Sequence, residues 1–85
     1  MFILGYSKRN FKKENSGEDV IYYRVSYLSD IPASNSDHHG FDANYFNLGV
    51  SKFMSLRDSL DYAIDTKSDV KFYYNRWGKI ETIEI

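Results

Sequence analysis

Residues 20–28 read VIYYRVSYL, a stretch dense in β-branched and aromatic side chains. Such side chains favour strands, because branched and planar groups fit the pleated surface of a sheet. Successive side chains of a strand point to opposite faces. One face would carry Ile21, Tyr23, Val25 and Tyr27, and the other Val20, Tyr22, Arg24 and Ser26. This stretch therefore predicts a strand of a β-rich domain.

The flanking segments predict further strands. Phe2 to Phe11 is apolar at its start and cationic at its end, and turn formers fill residues 13–18, so the first two strands form a long hairpin. Ser29 to Gly40 contains the only proline and no apolar periodicity, which indicates a surface loop. Phe41 to Phe53 alternates imperfectly and predicts a third strand, in which Gly49 marks a bulge or a bend.

The period of the pattern then changes from strand to helix. Apolar residues share one helical face at Leu56, Leu60, Ala63 and Ile64, and Ser55 is a suitable N-cap residue. We expect this stripe to be buried, because a short helix persists only when its apolar face is packed.

The last segments predict a second hairpin. Val70 to Asn75 is strand-like, residues 75–78 form a turn with Gly78 free to adopt positive φ, and Lys79 to Ile85 is the closing strand. Three strands, a helix and two strands is the element order of an OB-fold. We therefore predict a single mainly β domain over residues 1–85: a five-stranded OB-like Greek-key barrel with one short helix between strands 3 and 4, in preference to a β-sandwich or an open α+β sheet.

The composition is typical of one globular domain, with 85 residues, 42% hydrophobic and 27% charged. There is no cysteine, so neither disulfides nor thiolate zinc ligands support the core, and we expect a cytoplasmic protein. No stretch has the pattern of a secretory signal or the length of a membrane span, so no membrane partner is expected.

The net charge of −1 hides an uneven distribution. Residues 1–13 hold four cations and no acid, residues 14–66 hold nine acids against three cations, and residues 67–85 hold four cations against three acids. A protein that coats polyanions by bulk charge alone is not indicated. If the two termini are neighbours in the fold, however, their cations would form one positive face.

Aromatic residues make up 18% of the chain, and several stand beside Lys or Arg in predicted strands. Single-stranded nucleic acids bind such surfaces, because bases stack on rings and phosphates meet cations. Two groups of contact residues are predicted, with candidates of lower rank beside them. The first group is Lys8, Arg9, Phe11, Lys12 and Lys13, the second is Tyr73, Arg76, Trp77 and Lys79, and the further candidates are Tyr6, Tyr22, Arg24, Tyr45 and Lys71.

Each group also has a purely structural interpretation. The first would be a solvated hairpin tip with one exposed phenylalanine, Phe11. The second would be an aromatic turn packed over the end of the barrel, with Arg76 stacked on Trp77 as a cation–π pair within the fold. The remaining tyrosines would be buried in the core or in a dimer.

The sequence predicts no enzyme, no cofactor and no metal site. His38 and His39 are adjacent on a loop and point apart, and no further His or Cys completes a ligand set. The glycines are dispersed and form no phosphate-binding loop, and no serine lies in a nucleophile elbow. Asp61 and Asp65 lie one turn apart on the exposed side of the helix, where we expect them to be solvated.

The chain resembles small OB-fold single-stranded DNA-binding proteins of phages and mobile elements, including the filamentous-phage helix-destabilising type. The resemblance lies in the chain length, the strand order and the late turn Tyr73-Tyr74-Asn75-Arg76-Trp77-Gly78-Lys79. The resemblance covers the whole chain in its pattern of elements and not in a shared stretch of sequence. The acidic segment, residues 14–66, departs from the family pattern. It implies non-catalytic binding of single-stranded DNA, with RNA as an alternative ligand, and a homodimer.

Two other classes of function stay open. The chain fits a small phage or mobile-element protein that binds and inhibits a host protein, because Tyr, Trp and Arg also dominate protein interface hot spots. It also fits a homo-oligomeric structural subunit that uses the same rings for self-association.

Overall fold

The computed structural model describes residues 1–30, 37 and 39–85. Within them it has five strands and one helix, in the order β1 (Phe2–Lys12), β2 (Asp19–Asp30), β3 (Phe41–Gly49), α1 (Val50–Thr66), β4 (Lys71–Tyr74) and β5 (Ile80–Glu84). Across these residues no helix has the length and apolar character needed to cross a membrane.

The first three strands form an antiparallel sheet with β2 at its centre. Tyr6 of β1 lies opposite Val25, and Asn47 of β3 lies opposite Arg24. The β1–β2 register is interrupted once, at Leu4, whereas the β2–β3 register is continuous. The sheet therefore has two faces of different character, set by the two alternating rows of side chains on β2.

Helix α1 packs on one of these faces, which we call the inner face. Its buried residues are Phe53, Leu56, Leu60 and Ala63, all on one side of the helix. The ring of Phe53 stacks on the ring of Tyr23 with centroids 3.7 Å apart and planes at 3°. The helix thus forms because this apolar stripe has a sheet to pack against.

The second sheet, β4–β5, packs on the same inner face through its side chains. The ring of Phe72 lies 5.0 Å from that of Tyr27 and 5.2 Å from that of Phe46, both edge-on. The buried apolar residues come from both sheets, the helix and the segment before β4: Ile3, Val25, Leu48, Phe53, Leu56, Leu60, Ala63, Val70, Phe72, Ile80 and Ile83. The core is therefore a layer between the inner face on one side and α1 with β4–β5 on the other.

The prediction of a closed OB-like barrel is wrong. Five strands with a helix between the third and fourth are present, but they form two separate sheets. Barrel closure requires the edge strands of a sheet to pair. Among the described residues, β1 meets the segment before β4 through one isolated bridge, Phe2 to Asp69. The reason is α1: its 17 residues span about 25 Å and share the inner face with β4–β5, which pack there through side chains.

The predicted boundary between the third strand and the helix is also wrong. The strand ends at Gly49 and not at Phe53, and the helix begins at Val50 and not near Ser55. Phe53 precedes Leu56 by three residues and so extends the helical stripe by one turn. Of the predicted loop Ser29 to Gly40, residues 31–36 and 38 lie outside the described residues.

The β1–β2 hairpin extends beyond the rest of the sheet. Strand β3 ends opposite Tyr22, so residues 10–21 form a two-stranded ribbon with no third strand beside it among the described residues. Phe11 and Ile21 on this ribbon are 51% and 42% exposed. At the turn, the Gly17 N–H donates to the carbonyl of Lys13 at 2.9 Å, with Gly17 at a φ of 67°. The cationic end of β1 therefore projects into solvent.

Candidate nucleic-acid interface

The face of the three-stranded sheet opposite the inner face, here called the outer face, carries neither α1 nor β4–β5. Its side chains are the alternate residues of each strand that share a side with Arg24. In β1 and β2 they are Phe2, Gly5, Ser7, Arg9, Phe11, Val20, Tyr22, Arg24, Ser26 and Leu28, and in β3 they are Phe41, Ala43, Tyr45, Asn47 and Gly49.

Arg24 lies at the centre of the outer face and is held by two neighbours on β3. Its guanidinium carbon lies 4.1 Å from the centroid of the Tyr45 ring, a cation–π contact. Its Nε–H donates to Oδ1 of Asn47 at 3.3 Å. That bond uses one of the five guanidinium donors, and the other four are on the two Nη atoms. The arrangement holds a cation of β2 over a ring of β3.

Arg9 and two rings continue this pattern toward the hairpin ribbon. Arg9 lies opposite Tyr22 in the register, and its Nε–H donates to Oγ of Ser7 at 3.3 Å. The rings of Phe11 and Tyr22 lie 6.0 Å apart and are tilted by 56°. Along the sheet, a pair of rings is therefore followed by two arginines and then by Tyr45. This alternation of rings and cations is what single-strand binding uses.

The charge of the outer face differs from that of the whole chain. Of the outer-face residues named above, two are arginines and none is a carboxylate, while Asp30, which pairs with Phe41 at the end of β2, continues the same alternation. The helix carries carboxylates instead, and those of Asp58 and Asp65 lie on exposed residues away from the sheet. Arg9 and Arg24 would therefore attract a polyanion to the outer face.

The residues of the first predicted group do not all lie on the same side of the sheet, because successive side chains of a strand point to opposite faces. Arg9 and Phe11 lie on the outer face with Tyr22 and Arg24. Lys8 and Lys12 have the opposite parity, with Lys8 opposite Tyr23 and Lys12 opposite Asp19, and Lys13 lies at the turn. All three lysines are exposed. They surround the ribbon and do not line the outer face.

Tyr6, a candidate of lower rank, lies on the inner face. Its hydroxyl donates to Oδ1 of Asp61 at 2.5 Å, and its ring packs 4.7 Å from the ring of Phe53. The hydrogen bond to the Asp61 carboxylate and burial raise the pKa of the Tyr6 hydroxyl. Tyr6 therefore joins β1 to the helix and is not placed to stack on a base.

The second predicted group lies on the β4–β5 hairpin, on the inner side of the sheet. The guanidinium carbon of Arg76 lies 4.3 Å from the Trp77 ring centroid, and Trp77 is 69% exposed. Tyr73 is exposed too, and a hydrogen bond to the Glu84 carboxylate raises its pKa. Lys79 follows this turn, and Lys71 lies opposite Glu84. The cation–π pair foreseen in the structural interpretation is present, and it points to solvent.

The two predicted groups are not brought together. The start of β1 does meet the segment before β4, where the Val70 N–H donates to the carbonyl of Met1 at 2.8 Å. Arg9 of the first group, however, lies on the outer face, whereas Arg76 and Lys79 of the second group lie on the inner side of the sheet. The single positive face expected from the cations of both groups is therefore not formed.

Sequence reasoning missed the residues that hold the outer face in place. Ser7 and Asn47 anchor the two arginines, and Phe2 and Phe41 add an edge-on pair of rings 6.2 Å apart at the far end of the face. Strand alternation is the signal that could have found them, because each of these residues lies on the same side of the sheet as Arg24 once the strand register is known. Strand alternation alone could not supply that register.

A groove of about 480 Å³ lies between β3 and the β4–β5 turn, with Leu48, Lys52 and Lys79 in its walls. The described residues include no group of three or more His, Asp or Glu able to hold a metal ion. Of the two adjacent histidines, His39 is exposed and His38 lies outside the described residues.

No protein-family model, no curated protein and no solved structure matches this chain.

Proposed function

We propose that this chain is a non-catalytic protein that binds single-stranded nucleic acid, DNA or RNA, on the outer face of its three-stranded sheet. The observation that supports this most strongly is the Arg24 guanidinium held over the Tyr45 ring, with Arg9, Tyr22 and Phe11 continuing the same row. We further propose a cytoplasmic setting, in keeping with a chain that has no cysteine.

Stacking would supply most of the affinity. Each base stacked on an aromatic side chain contributes roughly 1 to 3 kcal/mol. Tyr45 is 57% exposed and Phe11 is 51% exposed, so a base can reach either ring without any change of fold, in the case of Tyr45 on the part that Arg24 does not cover. Bases in a duplex already stack on each other and cannot offer their faces, so this surface selects single strands.

Phosphate contacts would supply the remainder through Arg9 and Arg24. In single strands each phosphate contact changes the slope of log affinity against log salt by about −0.7, so two arginines give a slope of about −1.4. With a net charge of −1 on the chain, bulk attraction adds little. Affinity should therefore be modest and only weakly sensitive to salt.

The test is fluorescence anisotropy of labelled oligo-dT at low salt, with two matched variants. Tyr45 and Tyr62 are both 57% exposed, but Tyr62 lies on the helix, away from the outer face. We expect Tyr45→Ala to weaken binding roughly 5- to 140-fold, the equivalent of one stacked base. Tyr62→Ala should leave the affinity unchanged. An absence of binding at low salt, or equal losses in both variants, would contradict the proposal.

A second candidate function is binding and inhibition of a host protein, and the exposed side of α1 favours it. Met54 and Tyr62 are 56% and 57% exposed and lie two turns apart on that side, with Asp58 between them. Met and Tyr are enriched in protein interfaces. If this is the function, Tyr62→Ala and not Tyr45→Ala should abolish capture of one stoichiometric partner from a nuclease-treated lysate.

A further inference from the structure

The two edges of the three-stranded sheet differ in how they are protected. The β1 edge has an irregularity at Leu4, a bridge from Phe2 to Asp69, and Lys8, Arg9 and Lys12 along its length. Bulges and charges of this kind prevent another strand from pairing with an edge. The β3 edge has nine residues, a continuous register, no Pro, Lys or Arg, and one charged side chain, Asp42.

The β3 edge is also accessible. In an antiparallel strand, every second residue points its N–H and C=O away from the neighbouring strand. Residues 41–45 are all exposed, and along residues 46–49 the strand borders the groove of about 480 Å³. An unprotected, accessible edge is a template for a further strand.

Charge complementarity identifies a second copy of this chain as the occupant. If two β3 strands pair antiparallel about a twofold axis at Tyr45, Asp42 of each copy lies opposite Leu48 of the other. Lys52 lies in the wall of the same groove as Leu48, on the inner side of the sheet where Asp42 also points. The charged residues of this groove are two lysines, Lys52 and Lys79, and one carboxylate, Glu81. Asp42 of one copy therefore meets a groove with more cations than acids, with Lys52 on the same side of the sheet, and the symmetry repeats this contact.

We propose that two copies of this chain associate through their β3 edges into one six-stranded antiparallel sheet, with Asp42 of each copy beside Lys52 of the other. This inference does not depend on the proposed function. If both hold, the dimer joins two outer faces into one surface.

The experiment is light scattering of the full chain at high micromolar concentration without nucleic acid. The wild-type protein should have about twice the chain mass of 10.0 kDa. Asp42→Lys and Lys52→Glu should each halve the measured mass, because each places like charges together at both ends of the interface. The double variant, Asp42→Lys with Lys52→Glu, should restore the dimer. Asp65→Lys, which changes an exposed carboxylate on the helix, should leave the mass unchanged.

Circular dichroism of each variant separates loss of the interface from loss of the fold. Because Asp42 is exposed, Asp42→Lys should retain the wild-type spectrum. If Lys52→Glu unfolds, the mass of the Asp42→Lys variant alone tests the proposal. A monomeric wild-type protein overturns the proposal. So does a folded Asp42→Lys variant that stays dimeric, or a folded double variant that stays monomeric. Because no oligonucleotide is present, none of these results bears on nucleic-acid binding.

Discussion

Replacing Phe53 with alanine should remove a large part of the stability of this protein. Phe53 is 1% exposed, stacks on Tyr23 at 3.7 Å and packs edge-on against Tyr6 at 4.7 Å. Burial of this kind gives a loss of about 3 to 5 kcal/mol for Phe→Ala. For a chain of this length the total free energy of unfolding is about 4 to 13 kcal/mol. The variant should therefore lose at least about a quarter of its free energy of unfolding.

The assay is urea denaturation followed by far-ultraviolet circular dichroism, with Met54→Ala as the matched control. Met54 is the next helical residue and is 56% exposed, so its truncation should change the free energy of unfolding by less than about 0.5 kcal/mol. Phe53→Ala should lower the melting temperature by roughly 12 to 40 °C. A loss below about 1 kcal/mol for Phe53→Ala, or a larger loss for Met54→Ala, would refute the placement of Phe53 in the first turn of a packed helix.

Three further predictions concern pH, salt and fluorescence. Because the pKa of Tyr6 is raised in the folded state, Tyr6 contributes stability at pH values below its ordinary pKa of 10.0. This contribution is lost as pH rises through the higher pKa of the folded state. Tyr6→Phe should therefore reduce the alkaline loss of stability, measured by urea titration. Arg24→Ala should reduce the salt slope of oligo-dT binding by about 0.7, whereas Arg76→Ala, which removes a similar cation–π pair on the other side of the sheet, should not change it. Trp77 emission should stay constant during oligo-dT titration, since Trp77 lies on the β4–β5 turn.

Each of these has a result that would contradict it. An alkaline loss that is identical in Tyr6→Phe and wild type would show that the bond to Asp61 does not contribute. Equal changes of slope in Arg24→Ala and Arg76→Ala would spread binding over both sides of the sheet. Quenching of Trp77 by oligo-dT would move the interface to the β4–β5 hairpin, where the sequence alone had predicted part of it.

The order of elements could be predicted because it depends on local patterns. The alternation of residues 20–28 and the change of period at Leu56 both come from neighbours in the chain. The closed barrel could not be judged in this way, because closure depends on which edges pair over long distances. The helix start was missed for a local reason: Phe46, Leu48 and Val50 are spaced by two residues as in a strand, so the strand pattern continues into the first turn of the helix.

The candidate interface could likewise be predicted only where it depends on local sequence, and not where it depends on the pairing of strands. Arg9, Phe11, Tyr22 and Arg24 were identified from their residue types, and the structure places all four on one face. Lys8 and Lys12 were grouped with them by proximity in sequence, although the pleat of the strand sends them to the other side. The contact of Arg24 with Tyr45 joins residues 21 positions apart, and only the β2–β3 register brings them together.

The most direct test of binding on the outer face is amide chemical-shift mapping by NMR during titration with oligo-dT at low salt. We expect the largest shifts at Arg9, Tyr22, Arg24 and Tyr45, with small shifts on the helix and on the β4–β5 hairpin. Shifts concentrated at Arg76 to Lys79 or along α1, with none on the outer face, would contradict the account.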